Sequence, residues 1–164
     1  MFNIFSRKPS PPDPSVRIRV QKLFSEFEPH LEKSMHYFEM AGKVPVPGPF
    51  TADYDNRLEL STSSAVQALQ QARAEVERAS ESIHQAIALW PSGRDLLNEL
   101  LQGADILKNC FTNHEIMANL WRGDGDMGDK LRKNRELGVA SRQMFMDAVK
   151  HIEKASQKIK KTLS

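Results

Sequence analysis

Four long segments of this sequence repeat their apolar residues every three or four positions, and this pattern limits the possible folds more than any other feature. Between residues 16 and 38, for example, Val, Leu, Phe and Met side chains recur at that spacing. Such spacing places them on one face of an α-helix. No segment alternates apolar and polar residues with the period of two that indicates a strand. We therefore predict an all-α fold.

The predicted helices cover residues 15–41, 61–90, 92–121 and 129–162, within a single domain of residues 15–164. A chain of 164 residues is long enough to bury one substantial core. Four amphipathic helices of this length favour an antiparallel up-down-up-down four-helix bundle. Because Pro29 removes one backbone N–H, we expect the first helix to be kinked or split there. Residues 1–14, with four prolines near their end, are predicted to form a flexible Pro-rich tail.

Basic residues concentrate at the two ends of the chain. Residues 1–22 contain five basic residues and one acidic residue, and residues 150–164 have the same balance, whereas the whole chain carries a net charge of only +2. In an up-down-up-down bundle the start of the first helix and the end of the fourth lie at the same end. We therefore expect the two basic segments to meet at one pole.

The tail combines apolar and basic residues ahead of its prolines. Apolar side chains on a tether are typical of docking, either to a partner protein or to a membrane interface. The alternatives are that the tail folds back onto its own bundle or is disordered. The predicted partner-contact residues are those of the tail and the basic ends: Phe2, Ile4, Phe5, Arg7, Lys8, Arg17, Arg19, Lys158, Lys160 and Lys161. A second set lies at the opposite end of the bundle and consists of Val44, Val46, Phe50 and residues 122–129.

Residues 122–129, RGDGDMGD, contain an adhesion tripeptide and three aspartates at the spacing of a calcium loop. A calcium-binding loop that began at Asp124 would need a glutamate at its twelfth position, which is Arg135 here. The register therefore fails. We predict a glycine-rich turn in which Asp126 or Asp129 caps the fourth helix.

A metal-dependent helical-bundle enzyme is the alternative function that the sequence leaves open. Glu81 and His84 match the Glu-x-x-His spacing of di-iron bundles, but no second copy of that motif occurs. The chain contains no phosphate-cradling glycine loop and no nucleophile elbow. We predict no catalytic residues, metal ligands or cofactor, and we expect Cys110 to be a small core residue.

The remaining predictions concern partner class and location. Lys130, Arg132, Lys133 and Arg135 point in four directions around a helix, which argues against nucleic-acid binding. No apolar run could span a bilayer, no secretory signal is expected, and one cysteine fits a reducing compartment. We therefore predict a cytoplasmic protein of bacterial type that binds another protein as an adaptor, regulator, chaperone or immunity-type protein. Membrane contact through the tail and the basic pole is a second possibility, and the oligomeric state is not predicted.

Overall fold

The structure, a computed structural model, describes residues 9–45, 52–122 and 124–164. These residues form four helices and no strand, which confirms the predicted all-α four-helix bundle. A single 3-10 turn, Pro91–Gly93, connects the second helix to the third. The helices are α1 (Pro14–Gly42), α2 (Tyr54–Leu89), α3 (Arg94–Asn119) and α4 (Met127–Leu163).

The helices alternate in direction, so the bundle has two distinct poles. The terminal pole contains residues 9–20, 90–94 and 158–164, where the start of α1 meets the end of α4. The loop pole contains residues 38–44, 54–62, 117–122 and 124–134, where the other ends of all four helices surround a cavity. The closest backbone packing is between α1 and α2 and between α3 and α4, whereas the backbones of α1 and α4 stay further apart.

Two apolar clusters fill the bundle, one in each half. The cluster near the terminal pole is built around Trp90, Phe27, Ile83 and Ile159, which are almost completely inaccessible to solvent. The cluster near the loop pole contains Leu69, Val76, Leu107, Phe111 and Ala148. Phe38 of α1 bridges this second cluster, with ring centroids 5.0 Å from Phe111 and 6.1 Å from Phe145.

Helix α2 begins at Tyr54, seven residues before the predicted start at residue 61. The reason is that its inward-facing positions continue towards the N-terminus with the helical spacing of four, three and four residues, through Leu58, Thr62, Ala65 and Leu69. Two of these residues are small or polar, so the pattern of large apolar residues stops before the helix does. Asp53 precedes the helix with a left-handed backbone, at a φ of 59°.

Helix α1 continues through Pro29 as one helix, so of the two predicted outcomes, a kink or a split, the split does not occur. A proline in a helix leaves the carbonyl of the residue four positions earlier without its N–H donor, which here is the carbonyl of Ser25. Both Pro29 and Ser25 are exposed. Water can therefore hydrogen-bond to the freed carbonyl, and the buried side of α1 remains intact.

Trp90 and Gly93 shape the turn between α2 and α3, so that α3 begins at Arg94 instead of at the predicted residue 92. A Cβ atom on Gly93 would lie 2.2 Å from the Trp90 ring, which means that the indole packs directly on the turn backbone. The Trp90 Nε1–H donates a hydrogen bond of 2.9 Å to the carbonyl of Ser10. The Ser92 hydroxyl donates to the same carbonyl at 3.2 Å. This carbonyl therefore attaches the described end of the predicted tail to the turn.

Replacing Gly93 with alanine should destabilise the protein, because the Trp90 ring would have to move out of a closely packed site. We expect a loss of about 1–3 kcal/mol in the free energy of unfolding, measured by urea denaturation. Gly42→Ala is the matched control, since a Cβ atom at residue 42 meets nothing within 4 Å. A Gly93→Ala variant as stable as Gly42→Ala would contradict the packing of the indole on this turn.

Candidate functional site

The predicted contact residues of the tail, Phe2, Ile4, Phe5, Arg7 and Lys8, lie outside the described residues, as do Val46 and Phe50 of the second set. Their role in docking therefore stays a prediction. The described part of the tail, residues 9–13, lies at the terminal pole, where Ser10 is beside Trp90.

Three of the predicted basic contact residues hold the helices of the bundle together. Arg17 donates to the carbonyls of Ser164 at 3.2 Å and of Leu163 at 3.5 Å, and so joins α1 to the end of α4. Lys158 pairs with Glu99 of α3 at 2.9 Å. Lys160 pairs with Glu28 of α1 at 2.5 Å and lies over the ring of Phe24. These three side chains have structural partners.

Arg19 and Lys161 differ from these three, because both are exposed and neither forms an ion pair with a described residue. Of the predicted basic residues that the structure describes, these two therefore keep their charge available to a partner.

Arg17→Ala should lower stability while Arg19→Ala should not. The Arg17 guanidinium satisfies carbonyls at the end of α4, where the helix dipole also favours a cation. We expect a loss of about 0.5–1.5 kcal/mol for Arg17→Ala and a change close to zero for Arg19→Ala. Thermal and urea unfolding of the two variants measure this difference. Equal stability of the variants would show that the Arg17 contacts contribute nothing.

The described residues of the RGDGDMGD segment lie between the end of α3 and the first turn of α4, and Arg122, Asp126 and Asp129 have structural partners. Arg122 pairs with Glu59 of α2 at 2.8 Å and also hydrogen-bonds to Ser63 and Asn119. The Asp126 carboxylate accepts a hydrogen bond of 2.9 Å from the backbone N–H of Asp129, which confirms the predicted helix cap. Arg122 therefore joins α2 to the end of α3, and its guanidinium already has partners within the bundle.

The residues proposed for the alternative metal site do not come together. Glu81 and His84 are both exposed on α2. Within the described ranges, no cluster of three or more His, Cys, Asp or Glu side chains is arranged to hold a metal ion. Cys110 is buried, as predicted; burial raises the pKa of its thiol to about 11, and its Sγ lies 3.3 Å from the carbonyl of Ser141. This thiol is therefore protonated at neutral pH and poorly suited to act as a nucleophile.

A buried ionic contact between α1 and α2 was not predicted. The Glu75 side chain is only 7% exposed, and its carboxylate lies 2.6 Å from His30 Nδ1 and also pairs with Arg78. Burial by itself raises the pKa of Glu75, but the hydrogen bond with His30 and the nearby positive charges outweigh it, so the pKa is lowered. The spacing in the sequence does indicate that Glu75 is buried, because residue 75 lies three positions after Ala72 and four before Ala79, both of which are core residues.

Glu75→Gln should destabilise the protein at neutral pH more than in acid. A carboxyl group whose pKa is lowered by folding contributes stability above its unfolded pKa, and this contribution is lost as the pH falls through the folded pKa. We expect a loss of about 1–3 kcal/mol at pH 7 and a smaller one at pH 3. Urea denaturation from pH 3 to 7 measures it, with exposed Glu77→Gln as the control. A difference that does not change with pH would contradict the ionic role.

The solvent-facing side of α4 carries a row of apolar and basic residues. We call this the α4 outer face, and it consists of Leu131, Arg135, Val139, Arg142 and Met146. At 100° per residue these five positions fall within a wedge of about 80°. Leu131, Val139 and Met146 are 54%, 69% and 63% exposed. No acidic residue of α4 between residues 127 and 152 falls in the same wedge.

The two arginines of the α4 outer face are free of internal partners. Arg135 and Arg142 are exposed and form no ion pair with any described residue. This face was not predicted, because the four basic residues near the start of α4, on which the prediction about basic residues rested, diverge around the helix. The sequence pattern that indicates this face is the spacing of seven residues between Arg135 and Arg142 and between Val139 and Met146.

Comparisons with protein-family models, with curated proteins and with solved structures found no match for this chain. Among the described helices, none combines the length with the apolar character that crossing a bilayer requires. The function therefore has to be argued from the surfaces and cavities of the molecule itself.

Proposed function

We propose that this protein is a non-catalytic binding protein whose α4 outer face docks an acidic amphipathic helix of a partner protein. The observation that supports this proposal is the combination of three exposed apolar side chains with two unpaired arginines in one narrow wedge of α4. Single exposed apolar residues are ordinary on protein surfaces. Three of them in line, with a single sign of charge between them, are the features of a contact surface.

The dimensions of the face suit a helical partner. Leu131 and Met146 are fifteen residues apart, which corresponds to about 22 Å along the helix axis. Leu131, Val139 and Met146 are spaced by eight and seven residues, and a second helix packed alongside α4 would meet them with every second turn. Carboxylates flanking the apolar face of that partner would pair with Arg135 and Arg142.

A second copy of this chain fits the face poorly. In an antiparallel pair with its two-fold axis near Val139, Arg135 of each copy would approach Arg142 of the other. In a parallel pair each arginine would approach its own counterpart. Both arrangements bring like charges together, which is unfavourable at a partly desolvated interface. The charge of the face therefore favours a partner with an acidic surface.

Lipid and nucleic acid are less suitable occupants. Three separated apolar side chains would insert only weakly into a membrane interface. The wedge carries no aromatic side chain on which a base could stack. Elsewhere on α4, outside the wedge, Asp129, Glu136 and Asp147 would repel the phosphates of a nucleic acid. A partner helix uses both the apolar and the basic residues of the face.

The predicted docking role of the tail and the basic pole is retained as a second contact region. Arg19 and Lys161 remain the basic residues best placed for it, since Arg17, Lys158 and Lys160 are occupied. The alternative of a metal-dependent enzyme has less support, because no metal-binding cluster forms within the described part of the chain. An adaptor, regulator, chaperone or immunity-type protein remains the proposed class.

The docking proposal can be tested by placing a photo-crosslinking amino acid at Val139 in cells that produce the protein. The control position is Gln71, which is exposed on α2. A protein crosslinked only from Val139 would be identified, purified and titrated against the wild type and against Arg135→Glu/Arg142→Glu. We expect the double variant to bind at least about tenfold more weakly, and wild-type binding to weaken as salt is raised.

The charge-matched control is Arg57→Glu/Arg94→Glu, which reverses two exposed arginines outside the α4 outer face. This variant should bind the partner as tightly as the wild type. Unchanged binding by Arg135→Glu/Arg142→Glu would overturn the proposal, as would crosslinking to lipid alone or the same products from Val139 and Gln71.

A further inference from the structure

A cavity of about 380 Å³ opens at the loop pole, between the ends of the four helices. Its apolar wall includes Phe38, Leu69, Met117 and Trp121. The volume falls at the lower end of the range typical of sites that bind small molecules, roughly 300–1,000 Å³. It lies beyond the last well-packed layer of the core, which is formed by Leu69 and Phe111.

The cavity exists because the inward-facing residues become small towards this pole. On α2, the inward-facing residues that follow Leu69 towards the N-terminus are Ala65 and Thr62. On α4, the inward-facing residues that follow Ser141 towards the loop pole are Gly138 and Asn134. At Ser141, α4 closely approaches Cys110 of α3. One or two turns further on, no large side chain of α4 fills the equivalent space.

Polar side chains also line the cavity, among them Thr62, His114 and Asn134. Thr62 is only 5% exposed, and its hydroxyl bonds to no described residue, although a helical threonine can bond to the carbonyl four residues earlier. His114 and Asn134 also line the cavity and have no hydrogen bond within the described residues. These side chains can therefore donate hydrogen bonds to, or accept them from, a molecule in the cavity.

The charges around the cavity restrict what it can hold. Burial lowers the pKa of His114, so its imidazole is neutral at neutral pH. Among the described lining residues the one other ionisable group is Glu39, which is exposed and pairs with Lys43. No cation of the described lining would compensate a buried anionic ligand, and a buried charge without a partner is strongly unfavourable.

We propose that this cavity binds a neutral, largely apolar small molecule that carries one hydrogen-bonding group, such as an alcohol or a ketone. The apolar body packs against Phe38, Leu69 and Trp121. The polar group reaches Thr62, with His114 and Asn134 as further donors or acceptors. This site is separate from the α4 outer face, and neither proposal depends on the other.

The test compares three ligands that share one apolar body: 1-decanol, decanoate and decylammonium. Binding is followed by NMR through the indole N–H of Trp121, which lines the cavity, with the buried Trp90 at the opposite pole as the internal control. We expect saturable binding of 1-decanol that shifts the Trp121 signal and leaves the Trp90 signal unchanged. Decanoate and decylammonium should bind at least about tenfold more weakly, because their charges must be desolvated.

Two variants locate the bound molecule. Thr62→Val removes the hydroxyl with almost no change in shape and should weaken 1-decanol binding several-fold. Ala65→Leu fills part of the cavity and should abolish binding, while Ala88→Leu on the exposed surface of α2 should not affect it. If Ala65→Leu does not fold, the affinity of Thr62→Val for 1-decanol still tests the proposal. Equal affinity for all three ligands, equal shifts at both tryptophans, or unchanged binding by Thr62→Val would overturn the proposal.

Discussion

The close packing of α4 on α3 is the constraint on which the other features of this bundle depend. A Cβ atom on Gly103 would lie 2.7 Å from the Ile152 side chain and 3.2 Å from the carbonyl of Ala148, so only glycine allows this approach. Cys110 and Ser141 are in contact along the same seam. Helix α4 packs more closely on α3 than on α1, and its outer side is exposed at Leu131, Val139 and Met146.

The stripe of small residues on α4 that contains Ser141 continues towards the loop pole, where it leaves space. Beside Cys110 of α3, the small side chain of Ser141 on α4 allows the two helix backbones to approach closely. Where α3 supplies His114 and Met117, the α4 residues Asn134 and Gly138 do not fill the gap, and a cavity results. A single stripe of small side chains on α4 therefore has two consequences, tight packing in the middle of the bundle and an open cavity at one end.

The charges of the chain divide into those that hold the bundle together and those that are free. Arg17, Arg122, Lys158 and Lys160 each join two helices. Glu75 and His30 do the same inside the bundle, where a buried carboxylate needs a partner. Arg135 and Arg142 have no such role. Their position on α4, between exposed apolar residues, is the feature on which the proposed contact surface rests.

By itself, the sequence determined the number of helices, the buried position of Cys110 and the Asp126 cap, because these depend on local spacing and on short-range hydrogen bonds. It predicted the start of α2 too late, since Thr62 and Ala65 carry little apolar signal although they face inward. Only the tertiary structure decided that Glu75 is buried, that Arg17 and Lys160 are occupied, and that Thr62, His114 and Asn134 surround one cavity. Each of these depends on which residues of distant segments become neighbours, and a helical period within one segment contains no information about the segment that packs against it.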